Sequence, residues 1–159
     1  MLKRILAAAV VGSLAVCAIC ALCQPAHAAT WSKKSDVVQA SCYGPYEGET
    51  ITATGRRITN STPYIAVPMG NIVSKSRWKK LSKAEKKRRF YYHQRIKLTN
   101  VGNGKSVTCY VEDCGGFAGC GGTYKGKYRQ RIFDCTPYVF KKLGFNGLAF
   151  VRFQYEVGR

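Results

Sequence analysis

Residues 95–111 constrain the fold most tightly. Arg95-Ile96-Lys97-Leu98-Thr99 alternates polar and apolar side chains with period two, and residues 106–111 alternate again. Between them, residues 100–104 contain Asn103-Gly104, a dipeptide suited to the positive backbone angles of a tight hairpin. Wound as a helix, this pattern would scatter its apolar residues around the axis, so the segment commits the chain to β structure. The same period recurs over residues 148–157, where Phe150, Arg152, Gln154 and Glu156 alternate with Ala149, Val151, Phe153 and Tyr155. Shorter strands are expected over residues 37–43, 51–55 and 64–67. Residues 44–49 read as a loop and Pro68-Met69-Gly70 as a turn. Residues 136–143 fit a short helix ended by Gly144. Many short strands, few helices and glycine turns define a mostly β domain, a small barrel or sandwich.

Residues 1–28 read as a signal peptide. Lys3 and Arg4 form a positive start, residues 5–22 are apolar, and Ala26-His27-Ala28 fits a small-x-small cleavage site. A retained membrane anchor competes with this reading, as does a lipoprotein cysteine at Leu14-Ala15-Val16-Cys17. Cleavage after Ala28 leaves a polar lead over residues 29–38 and one domain over residues 39–157. The expected location is therefore secreted or cell-wall associated, with membrane attachment only if the leader stays. Of the eight cysteines, Cys42, Cys109, Cys114, Cys120 and Cys135 lie beyond the leader. Outside the cytosol these are disulfide candidates. Cys114 and Cys120 lack C-x-x-C spacing and His93 is distant in sequence, so no metal site is expected.

The chain carries 26 Lys and Arg against 8 Asp and Glu, a formal net charge of +18. Such a charge seeks a polyanion. After export the available polyanions belong to the cell envelope, not to nucleic acid. Much of the charge concentrates in a basic insertion at residues 71–93, where Lys75, Arg77, Lys79, Lys80, Lys83, Lys86, Lys87, Arg88 and Arg89 face one acid, Glu85. Ser82-Lys83-Ala84-Glu85 matches a capping box and predicts a helix over residues 83–92. Two readings of the segment stand: a solvated face, or a contact of residues 75–95 with anionic wall polymers, with Trp78, Phe90, Tyr91 and Tyr92 as aromatic partners.

Carboxylates are scarce, so their placement is informative. Asp113 ends a strand at Gly115-Gly116, and Asp134 ends the next. On a regular strand Glu112 and Asp113 point to opposite faces. Two close carboxylates raise one pKa and so supply an acid near neutral pH, as protonation of a glycosidic oxygen requires. The competing reading is that Asp113 and Asp134 cap turns. Glu47 and Glu49 lie on a glycine-bounded loop that would form another wall. Tyr43, Tyr46, Phe117, Tyr124, Tyr128 and Tyr138 fall near glycines and suit either sugar stacking or the core. His93 has no evident partner and reads as structural. No nucleophile with a neighbouring base and no phosphate-cradling glycine loop is present.

Ala40-Ser41-Cys42-Tyr43-Gly44, then Thr52-Ala53-Thr54-Gly55, then residues 98–107, then Val111-Glu112-Asp113-Cys114-Gly115-Gly116-Phe117 and Arg131-Ile132-Phe133-Asp134-Cys135-Thr136 form an ordered series. In order and spacing the series resembles the rare lipoprotein A family and the related three-aspartate domain, and more distantly expansins. The resemblance spans residues 39–157, interrupted by the basic insertion. It implies a small six-stranded double-psi β-barrel with one short helix and a basic helical insertion. It also implies a monomer acting on peptidoglycan glycan strands as a lytic transglycosylase, with no cofactor and no metal. Asp113 would be the acid and then the base, and Asp134 would tune or position it. The substrate contacts expected are Tyr43, Gly44, Tyr46, Glu47, Thr54 and Phe117. The sequence departs from active members of the family at three positions: Arg56 stands where they carry glutamate, Val67 near their histidine, and Pro68 at an aspartate of the three-aspartate domain. These departures leave a second reading, a non-catalytic, expansin-like wall-binding module.

Overall fold

The structure is a computed structural model that describes residues 28–45, 48–146 and 149–157. The predicted leader, with Cys17, Cys20 and Cys23, lies outside the described residues apart from Ala28, as do Tyr46 and Glu47. No helix among the described residues is long and apolar enough to cross a membrane.

The chain forms β1 (Thr30–Trp31), β2 (Val38–Cys42), β3 (Tyr64–Pro68), α1 (Lys75–Lys80), β4 (Arg95–Asn100), β5 (Ser106–Gly115), β6 (Gly121–Tyr124), β7 (Lys127–Cys135), α2 (Pro137–Leu143) and β8 (Ala149–Val157). It is mostly β, as expected. Six strands pair in the cyclic order β8-β2-β7-β3-β5-β4, and β4 pairs back to β8. The sheet therefore closes on itself and leaves no open edge within the ring. Two pairs, β2–β7 and β3–β5, are parallel, and the other four are antiparallel. β1 adds to β8 outside the ring, and β6 folds back on β7.

Period-two alternation fills the ring. β4 turns Ile96, Leu98 and Asn100 inward, and β8 turns Ala149, Val151 and Phe153 inward. Phe90, Phe133 and Phe153 meet at the centre, with ring centroids 5.2–5.8 Å apart and tilted or edge-on geometry. Phe90 belongs to the basic insertion. It is fully buried, and its backbone pairs with Asn71 and Val73. Trp78 is also buried and donates its indole N–H to the Arg89 carbonyl at 2.8 Å. These two aromatics anchor the insertion and are not available to a polyanion, contrary to one of the readings above.

The insertion also differs from its predicted helix over residues 83–92. The capping box forms: Glu85 Oε2 accepts from the Ser82 N–H at 2.9 Å and from its hydroxyl at 2.7 Å. It starts only a single 3-10 turn, Glu85–Lys87, because Phe90 leaves the helical path to pair beside Ile72. The helix lies earlier, at α1, where the Ser74 hydroxyl accepts the Arg77 N–H. Residues 51–55 are likewise no strand. Gly55, at φ +80°, and the Thr52 hydroxyl, which accepts the Arg56 N–H, close a tight turn there.

The expected disulfides are not formed: among the described residues no S–S bond joins the five cysteines. Cys109 and Cys135 are fully buried core residues, and the Cys109 thiol donates to the Ile96 carbonyl. Cys114 accepts from the Tyr92 hydroxyl, and Cys120 faces solvent. Burial pushes the Cys109 and Cys135 thiols well above their ordinary pKa. Iodoacetamide applied to the reduced folded protein should therefore modify Cys120 first and leave Cys109 and Cys135 intact until denaturant is added, as peptide mass mapping would show.

Gly144 ends α2 at φ +72°, and an added Cβ there would lie 3.0 Å from Asn103 Nδ2. That amide donates to the Leu143 carbonyl, the helix's last turn. Gly144→Ala should lower stability by about 1 kcal/mol, or roughly 4 °C in a thermal melt.

Candidate functional site

The parallel pairing of β3 with β5 skips one residue. Ile65 pairs with Val111 and Ala66 with Asp113, so Glu112 is the extra residue of a bulge. The bulge lets two successive acids grip one loop from different directions. Asp113 Oδ1 accepts the Ala53 N–H and the Cys114 N–H, both at 2.9 Å. The Glu112 side chain is almost fully buried. It accepts from the Thr54 hydroxyl at 2.8 Å, pairs with Arg56 Nε at 3.3 Å and meets His93 Nδ1 at 2.9 Å. Its carbonyl also accepts the Thr54 N–H. The turn at residues 52–56 is thus fixed on β5 by both acids.

Asp113 lines an open cavity of about 580 Å³ together with Asp134, Tyr43, Glu49 and Phe117. Both predicted catalytic carboxylates therefore share one cavity. The register Ser41↔Asp134 on β2 and β7 supplies a further partner: the Ser41 hydroxyl donates to Asp134 Oδ1. Arg131 pairs with the same carboxylate at 3.6 Å and donates to the Ser41 oxygen. Asp113 is thus held by backbone amides, and Asp134 by a hydroxyl and a guanidinium.

Tyr43 is 6% exposed. Its hydroxyl lies beside the Asp113 carboxylate without closing a well-formed hydrogen bond to it. Burial first, and then the Asp113 charge, pushes the phenol pKa far up, so Tyr43 stays protonated. The Tyr92 phenol, bonded to Cys114 of the cavity wall, is pushed up to about 12, chiefly by that hydrogen bond and then by burial. Phe117 folds over Gly115, where a Cβ would stand 3.0 Å from the ring, and Arg131 sits 5.9 Å from its centroid.

The other expected contacts are placed differently. Gly44, at φ +130°, packs against Ile58 and Pro137 and does not line the cavity. Thr54 turns to Glu112 and away from the cavity. Glu49 lines the wall foreseen for the glutamate loop. The reading of His93 as a residue without an evident partner is corrected: it bonds Glu112 and holds φ +64°, a backbone angle uncommon for a side-chain-bearing residue. Ser41, Arg131 and Glu112 are the site residues that motif reading missed. Only the acidic pair Glu112-Asp113 carried a local signal. The Ser41 partner of Asp134 depends on strands 93 residues apart in sequence, whereas Arg131 lies three residues before it on the same strand. Among the described residues no group of three or more His, Cys, Asp or Glu is arranged to hold a metal ion.

No protein-family model matches the chain, and no curated protein matches it.

Glu112→Gln keeps the shape but removes the charge that holds Arg56 and His93. It should destabilise the fold by about 2 kcal/mol, measured by chemical denaturation. Hydrogen exchange at the Ala53 amide should speed up in the same variant.

Proposed function

We propose that this chain is an exported peptidoglycan-active enzyme, a lytic transglycosylase that cleaves between N-acetylmuramic acid and N-acetylglucosamine. The observation that carries the reading is the open cavity in which Asp113 and Asp134 meet beside a protonated Tyr43 and the Phe117 ring. The fold part of the reading, a double-psi barrel of the rare lipoprotein A kind, is supported by the six-strand ring with parallel pairs β2–β7 and β3–β5.

In this mechanism Asp113 carries the proton. With Oδ1 committed to two amides, Oδ2 is the oxygen that exchanges it. The Asp113 carboxyl gives its proton to the glycosidic oxygen as the C1–O4 bond breaks. The carboxylate then takes the proton of the muramoyl 6-hydroxyl as O6 bonds to C1. The products are a 1,6-anhydro end and a free 4-hydroxyl, and no water is consumed. Tyr43, kept protonated, stands beside the Asp113 carboxylate between the two steps and does not take up its proton. Asp134, fixed by Ser41 and Arg131, positions the sugar and sets the local field. Phe117, largely buried, shapes the apolar wall of the cavity. The exposed lysines and arginines of the insertion add a salt-sensitive attraction to anionic wall polymers.

The test is mass spectrometry of purified peptidoglycan after incubation with the protein and with Asp113→Asn. Wild type should release 1,6-anhydro-muropeptides, and the variant should release them roughly 100-fold or more slowly while still sedimenting with the wall. Reducing-end products would make the enzyme a hydrolase. Sedimentation without any product would make the chain a wall-binding module and overturn the catalytic assignment.

A further inference from the structure

On another part of the surface, a cavity of about 620 Å³ is walled by Lys34, Lys125, Lys127, Arg129 and Arg152, with Tyr124 at its side. It shares no residue with the cavity around Asp113 and none with the basic insertion. No acidic side chain lines it. Elsewhere the chain spends its few carboxylates on nearby cations: Glu112 on Arg56, Asp36 on Lys87, Glu156 on Arg95 and Asp134 on Arg131. Among the described residues none of the five cations of this cavity has a carboxylate within ion-pair distance. Convergence of five like charges on one hollow is unfavourable unless an anion offsets it.

Two details bear on a ligand rather than a solvated face. Arg129 is half-buried where it lines the cavity, so its guanidinium is partly withdrawn from water and gains from an oxyanion partner. Lys125 occupies the first position of the two-residue turn between β6 and β7. It holds φ +49° and is followed by Gly126 at φ +73°. Turns with two positive angles favour asparagine there, so the lysine stands at a position that its backbone conformation does not favour.

We propose that this cavity is a binding site for a multiply charged phosphate ligand. Arginine forks match the phosphate oxygens, lysines supply the remaining charge, and five cations call for more than a single monovalent group. The ligand is either a free polyphosphate or a polyol-phosphate chain, which present the same oxyanions.

The experiment is isothermal titration of the reduced protein at 150 mM NaCl with tripolyphosphate and, in parallel, with a soluble poly(glycerol phosphate). Saturable binding is expected, and it should weaken tenfold or more in Lys34→Gln/Lys125→Asn/Lys127→Gln. The surface variant Lys97→Gln/Lys141→Gln/Lys142→Gln, outside both the cavity and the basic insertion, should bind as wild type does. Tighter binding of tripolyphosphate would identify a free polyphosphate, and tighter binding of the polymer a chain. Should the first variant melt early, Lys125→Asn alone, which suits the turn, carries the test with an expected loss of about threefold. Absence of saturable binding to both probes, or equal weakening in the two triple variants, would overturn the proposal.

Discussion

The site rests on one buried carboxylate. Glu112 cannot be left uncompensated inside the protein, and it gathers Thr54, Arg56 and His93 to itself. That gathering brings the turn at residues 52–56 close enough for Ala53 to donate to Asp113. Removing water from Glu112 and orienting Asp113 are therefore one event. The bulge against β3 makes it possible, because it lets two adjacent acids that a regular strand would turn to opposite faces reach the same turn. Arg56 also gains a meaning here. At a position where the resemblance led to an expected glutamate, this chain has a cation whose partner is the glutamate on β5.

The ring of strands gives that arrangement a rigid support. Its two parallel pairs bring Ser41 to Asp134 and Ala66 to Asp113, so both acids stand where strands of distant sequence run side by side. The three phenylalanines at the centre come from the insertion, from β7 and from β8. The insertion is thus not an appendage: its apolar side completes the core, and its charged side faces solvent.

Local patterns in the sequence were enough for most of the strands, residues 51–55 excepted, and not for their partners. Period two in residues 95–99 and 148–157 gave β4 and β8 almost to the residue, since each buries alternate side chains in the core. Gly144 marked the end of α2 because only a residue tolerant of positive φ fits there. The pattern failed where a non-local contact overrode a local preference. The capping box at Ser82 formed, yet Phe90 was drawn into the core and the helix stopped after one turn. His93 looked isolated because its partner lies 19 residues on, across a hairpin. The five cysteines suggested bridges because the chain reads as exported, and a compartment cannot say whether any two thiols are brought into bonding geometry.

Ring closure also has a kinetic side. β8 pairs with β1, β2 and β4, so the chain's last strand is the one that seals the sheet. Until residues 149–157 are available, β2 and β4 keep bare edges and the aromatic centre lacks Phe153. A topology dominated by such distant pairings folds slowly. A nascent chain of this kind therefore keeps its ring of strands open until β8 has been made.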